Sequence, residues 1–160
     1  MRIYIIEDDP SVISILEDIV ERSKLGVVCG DTAEEPPNPE HIAAVGPDII
    51  LIDLLMPGKD GIQVIRELKE LGCTARFIMI SQVSAKEMVA KAYTAGVEFF
   101  IQKPINLIEV RQVLQNVIRQ IENERALRTI QSVFAGHEPP QPQANAYQQE
   151  SRRIKYTLSQ

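Results

Sequence analysis

Two cysteines and two histidines are all that 160 residues hold of the side chains that most often bind transition metals. Cys29 and Cys73 lie outside any CxxC or metal-ligand spacing, which excludes a zinc site and leaves two separately packed thiols. His41 falls in a crossover and His137 in a Pro/Gln-rich stretch, so neither is expected to act as a ligand. No apolar run approaches the roughly 18 residues of a membrane helix, and the N-terminus lacks the basic-then-apolar order of a signal peptide. A cytoplasmic location without membrane contact is therefore expected. Positive charge is also short. The net charge is −5, and acids outnumber Lys and Arg over residues 1–104, which makes that part a poor nucleic-acid binder by itself. Only the remainder leans basic, through Arg152, Arg153 and Lys155.

What is present is ordinary for one globular domain with a tail: 44% hydrophobic and 24% charged residues. Ile3 to Ile6, Val27 to Cys29, Ile49 to Ile52, Phe77 to Ile80 and Phe99 to Ile101 are continuous apolar runs, as expected of strands covered on both faces. Helical patterns separate them. The first places Val12, Ile15, Leu16 and Ile19 on one face behind Asp9 as N-cap and Pro10 in the first turn. The second crossover is broken by prolines, so its helix is expected to be short and to start near Pro39 or Glu40. The third helix turns Ile62, Ile65 and Leu68 inward, with Asp60 as cap and Gly72 past its end. In the fourth, Ser84 is the expected N-cap, Glu87 its capping-box partner and Gly96 the stop. Five strands and four crossovers predict an α/β, doubly wound parallel sheet of flavodoxin-like order 2-1-3-4-5, with ligands at the carboxyl ends of its strands.

After Pro104 the pattern changes. Residues 105–134 contain no Gly or Pro and read as one long helix. Val110, Leu114, Val117 and Ile121 are spaced like a coiled-coil seam, while Leu127, Ile130 and Phe134 arrive one residue early for its continuation. Two readings stand: a last domain helix with an amphipathic extension, or a helix about 45 Å long that pairs with a second copy. Residues 136–150 read as a Pro/Gln-rich linker, and 151–160 as the start of a truncated output region.

The chemistry gathers at strand ends. Glu7, Asp8 and Asp9 follow the first strand, Asp53 the third, Ser81 the fourth and Lys103 the fifth. Carboxylates brought together in this way need a shared proton or a divalent cation. Mg²⁺ suits them, because it takes one or two carboxylates, several waters and phosphate oxygens. Asp8 and Asp53 are the natural direct ligands, Glu7 could reach the metal through water, and a backbone carbonyl just past Asp53 could add an oxygen. Lys103 would pair with the free carboxylate or with a phosphoryl group on it, and Ser81 could donate to a phosphoryl oxygen.

These residues resemble the receiver domain of two-component response regulators over about residues 1–120. The likeness rests on "EDD", "DLLMPGKDG", Ser81 and "KP" in order, with 28 positions from Asp53 to Ser81 and 22 from Ser81 to Lys103. It implies that Asp53 accepts phosphate from a sensor histidine kinase, catalysing only its own phosphorylation and dephosphorylation. It further implies that Glu7 and Asp8 hold Mg²⁺ with the Leu55 carbonyl, and that Ser81 and Phe100 form a switch pair. Pro104 stands where the family often has a cis bond that aims the lysine. Output would pass through the face of the fourth helix, fifth strand and fifth helix, with homodimerisation through that face or through residues 105–134.

Two departures from the family pattern bear on rate. Leu55 and Val83 are apolar where polar residues orient hydrolytic water, which predicts a long-lived phosphate, and Gln82 replaces a small residue and would restrict small phosphodonors. A finer likeness, in "IDLLMPGKDGI", "ISQVSAKEMV" and "EFFIQKPIN", is to a glutamine-utilisation response regulator class of Gram-positive bacteria. That class would reach DNA through a C-terminal domain and regulate transcription. Two other functions fit the sequence less well: a Mg²⁺-dependent aspartyl-phosphate phosphatase, disfavoured by Leu55 where a second acid is wanted, and a phosphorylation-independent interaction module, disfavoured by the intact acids, hydroxyl and lysine.

Overall fold

The computed structural model describes residues 1–32 and 36–135. The expected linker at 136–150, the output segment at 151–160 and His137 lie outside the described residues. The apolar runs form β1 (Arg2–Ile6), β2 (Val27–Asp31), β3 (Ile49–Ile52), β6 (Arg76–Ser81) and β7 (Val97–Gln102). They pair in parallel in the order β2-β1-β3-β6-β7. Counting these five alone, the order is the expected 2-1-3-4-5. A short antiparallel hairpin, β4 (Leu55–Met56) with β5 (Lys59–Asp60), stands apart in the loop after β3. Pro57 and Gly58 form its turn, and Gly58 takes φ +77°, which its lack of a Cβ makes easy.

Strand alternation splits the core into two layers. Ile3, Ile5, Ile49, Leu51, Ile78 and Ile80 face α1 (Pro10–Arg22) and α5 (Leu107–Ala135). Tyr4, Ile6, Ile50, Ile52, Phe77 and Met79 face α2 (Pro39–Val45), α3 (Gly61–Glu70) and α4 (Lys86–Ala95). Burial on both faces explains why the central strands read as unbroken apolar runs. β2 departs from this: it is an edge strand, its residues are half-buried or exposed, and Cys29 packs there as a free thiol. Cys73 is likewise free and half-buried.

The helices start where the caps are. Asp9 accepts from the Ser11 N–H at 2.9 Å, Asn38 from His41 at 3.1 Å and Asp60 from Ile62 at 2.8 Å. Asn106 does the same for α5, accepting from Ile108 at 3.0 Å and Glu109 at 3.2 Å. Two expectations need correction. In α1 the buried side chains are Ile13, Leu16, Ile19 and Val20, and Ile15 is exposed, so the inner face is turned from the expected one. α4 starts at Lys86 with Ala85 in the cap position and no side-chain cap bond, so Ser84 and Glu87 form no capping box. The chain stays non-helical beyond β6, with the Val83 N–H held by the Ser81 hydroxyl at 3.4 Å.

The seam positions are also corrected. Val110, Leu114, Val117 and Ile121 are buried in the core layer that α5 shares with α1, where they cannot also face a second copy. Residues Met1–Ile121 form one compact unit, and α5 continues into a second that starts at Glu122. In that continuation Leu127, Ile130, Val133 and Phe134 are exposed. Among the described residues no helix is long and apolar enough to cross a membrane. Leu114→Ala should cost about 2–5 kcal/mol in urea unfolding, whereas Leu127→Ala should stay within about 0.5 kcal/mol of the parent. Equal losses would place the two residues in equivalent environments and contradict the core assignment.

Candidate functional site

Register brings the acids together. β1 lies between β2 and β3, and Ile6 pairs with Ile52, so the residues that leave those strands, Glu7, Asp8 and Asp53, emerge at one edge. The Asp53 N–H donates to the Ile6 carbonyl at 2.9 Å, carrying the pairing one step beyond the strands. Carboxylate oxygens of Glu7, Asp8 and Asp53 lie within 4.8 Å of one another. Glu7 and Asp53 are 2% and 6% exposed, while Asp8 opens to solvent.

Lys103 answers the repulsion. Its ammonium donates to Glu7 Oε2 and to Asp53 Oδ2, both at 2.8 Å. Its main-chain N–H donates to the Ser81 carbonyl at 2.8 Å, which fixes the stem, and the Lys103–Pro104 peptide is cis. Each remaining oxygen of the buried acids also has a main-chain partner. Glu7 Oε1 accepts from Asp8 and Asp9 at 3.1 and 3.2 Å, and Asp53 Oδ1 accepts from Leu55 at 3.2 Å.

Burial and the neighbouring charges shift Glu7 and Lys103 in the same direction. Burial pushes the Glu7 carboxyl up; Lys103 and the Asp9 N–H offset part of that push, and the Asp53 charge adds to it. Burial works to lower the Lys103 ammonium, but its hydrogen bonds to Asp53 and Glu7 outweigh this and hold it above its ordinary value. Three carboxylates facing one ammonium, with oxygen donors only and Asp8 exposed as an entry point, could hold a hard divalent cation.

The remaining residues named from the sequence stand around this centre. Ser81 ends β6 and is fully buried. Phe100 is half-buried and packs with the α3 and α4 layer, whereas Phe99 packs on the opposite face. Val83 is half-buried on the Phe100 side, and the Leu55 side chain is 61% exposed. His41 is exposed on α2.

Sequence reasoning overlooked two contributors. A Cβ on Gly61 would sit 2.2 Å from the Asp53 carbonyl oxygen, and the Gly61 N–H donates to the Leu54 carbonyl at 2.9 Å. Only glycine lets α3 begin this close to the Asp53 main chain. Its signal was the "DG" already present in the motif. Thr32, whose hydroxyl bonds the Glu7 main chain, carried no signal, because its role depends on where β2 ends beside β1.

Comparison with known families matches residues 3–115 to the response regulator receiver domain. Over 132 residues the chain is 46% identical to the transcriptional regulatory protein GlnL of Bacillus subtilis (strain 168), an alignment covering 82% of this chain and 42% of GlnL. The chain thus spans less than half the length of that relative. It is 29% identical over 117 residues to the chemotaxis protein CheY of the same organism, covering 73% of this chain and 97% of CheY. Among solved structures, a CheY-like receiver domain protein from Methanospirillum hungatei JF-1 superposes with a TM-score of 0.65 at 20% identity, covering 77% of this chain and 97% of that one. A chain of the CheX-CheY-BeF3-Mg+2 complex from Borrelia burgdorferi gives 0.63 at 24% identity, with coverages of 73% and 88%. At these identities the structural likeness is one of fold.

Removing the bridging cation leaves two buried carboxylates opposed. Lys103→Met should therefore lose about 3 kcal/mol in urea unfolding at neutral pH without divalent ions, and added Mg²⁺ should recover part of the loss. An unchanged midpoint would contradict the charge balance described.

Proposed function

This chain belongs to the response regulator receiver domain family, and on that premise we propose that it is a phosphorylation-dependent switch whose acceptor is Asp53. The observation that carries the reading is the Lys103 ammonium, 2.8 Å from both Asp53 and Glu7 at the edge where Asp8 opens to solvent. An Asp53 oxygen attacks the phosphorus of a phosphohistidine on a sensor kinase. The new P–O bond forms as the P–N bond breaks, and the electron pair leaves with the imidazole nitrogen, which takes up a proton. Mg²⁺, held by Asp8 and Asp53 with Glu7 and the Leu55 carbonyl in support, would offset the charge of the phosphoryl oxygens. The Borrelia burgdorferi complex, which shares the fold, is named with BeF3 and Mg+2.

The phosphoryl group brings a charge of about −1.5 to −2. Lys103 then exchanges a carboxylate oxygen for a phosphoryl oxygen, the Ser81 hydroxyl donates to another, and half-buried Phe100 turns inward behind it. Output follows through the face of α4, β7 and α5. By likeness to GlnL, named a transcriptional regulatory protein, the output we propose is transcriptional, with DNA contact made outside the receiver. The chain acts on its own aspartyl phosphate and turns over no other substrate: Leu55 stands where an aspartyl phosphatase wants an acid.

Incubation with Mg²⁺ and a phosphorylated kinase or acetyl phosphate should give acid-stable, base-labile label that is lost in Asp53→Asn. Steady release of phosphate would instead favour a phosphatase, and no labelling from any donor an inert module. The same label should be long-lived, and Leu55→Asn or Val83→Asn should shorten its half-life; a half-life of seconds that neither changes would refute the role given to these side chains. We also propose a homodimer through exposed Leu127, Ile130, Val133 and Phe134 or through the α4, β7 and α5 face. Gel filtration should show a phosphorylated dimer that Ile130→Glu weakens if the α5 continuation is the interface and leaves intact if the α4, β7 and α5 face is, and a monomer in both states would exclude it.

A further inference from the structure

β2 stops two residues short of the acids it flanks. Its last register pair with β1 is Ile5 with Asp31, yet Glu7, two residues further along the chain and just past the end of β1, is buried. A buried main-chain N–H and carbonyl both need partners. On Glu7 both are supplied by one side-chain atom: Thr32 Oγ1 accepts from the Glu7 N–H at 2.9 Å and donates to the Glu7 carbonyl at 2.8 Å. A hydroxyl has one proton and two lone pairs, so it can stand in for a further strand residue in both directions at once. From Glu7 the restraint runs on, since Oε1 accepts from the Asp8 and Asp9 N–H groups and Oε2 from Lys103.

We propose that Thr32 is a positioning residue for the acid cluster, fixing the Glu7 main chain and through it the directions of the Glu7 and Asp8 carboxylates. The inference rests on the reading of that cluster as a divalent-cation site. A valine at this position keeps the shape but neither hydrogen bond, and alanine removes the branch altogether. Serine keeps the hydroxyl. A threonine that merely finished an edge strand would affect folding alone. One that sets the carboxylates affects the cation as well, because outer partners of metal ligands typically govern affinity by 10- to 100-fold.

The test is calorimetric titration of the full chain with Mg²⁺, alongside thermal unfolding without divalent ions. Thr32→Val and Thr32→Ala should weaken Mg²⁺ binding by roughly tenfold or more, while Thr32→Ser should bind like the parent. Should Thr32→Val not fold, Thr32→Ala, which puts no carbon where the hydroxyl stood, gives the same reading. A lowered melting temperature with unchanged Mg²⁺ affinity would overturn the inference and leave Thr32 a strand terminator. A parent chain that binds no Mg²⁺ would overturn the cation reading itself.

Discussion

Everything at the site depends on one ammonium holding two buried carboxylates that would otherwise repel each other. Lys103 is 2.8 Å from Glu7 and from Asp53, and both acids are nearly inaccessible to water that could screen them. At an effective dielectric of about 20, opposite charges about 4 Å apart attract by roughly 4 kcal/mol, and like charges repel by as much. The sheet can therefore carry these acids only while the lysine stays aimed at them. Its stem is fixed for that purpose by the bond from its N–H to the Ser81 carbonyl.

That arrangement follows from parallel pairing. Parallel neighbours end on the same side, so β1, β3, β6 and β7 deliver Glu7, Asp53, Ser81 and Lys103 to one edge although 96 residues separate the first from the last. An antiparallel sheet would scatter them over two edges. The two-layer core then makes the edge rigid, because every central strand is packed from both sides. Gly61 brings α3 in against the Asp53 main chain, and the Asp60 cap starts the helix there.

Much of this was legible in the sequence, and for a physical reason. Strands buried on both faces must be apolar throughout, so the position where a charge first interrupts the run is also where the strand ends, as at Glu7 and Asp53; β7, an edge strand, carries Glu98 inside it and gives a weaker signal for Lys103. Where apolar residues exceed what one face needs, the pattern underdetermines the answer. α1 holds Val12, Ile13, Ile15, Leu16, Ile19 and Val20, which support two overlapping stripes, and only contact with the sheet selects Ile13 and Val20 over Ile15. The same holds for α5, where seam-like spacing proved to be the spacing of a helix seated on its own domain. Thr32 was illegible because its partner lies 25 residues away and a threonine at a strand end has no distinctive pattern.

The anchoring of α4 is unequal at its two ends, and this bears on how a charge at Asp53 could be felt elsewhere. At the C-terminal end the Lys69 ammonium donates to the Ala95 carbonyl at 2.7 Å, a cation placed where a helix terminus favours one. A Cβ on Gly96 would meet that same side chain, so the glycine leaves it room. At the N-terminal end Ala85 offers no side-chain cap, and Ala92 is the one buried residue of the helix. The end without a side-chain cap is the one joined to Ser81 by a short loop. Lys103 can change partners without moving β7, since only its side chain reaches the acids. A Ser81 hydroxyl drawn toward Asp53, by contrast, pulls on the loop that leads into the uncapped end of α4.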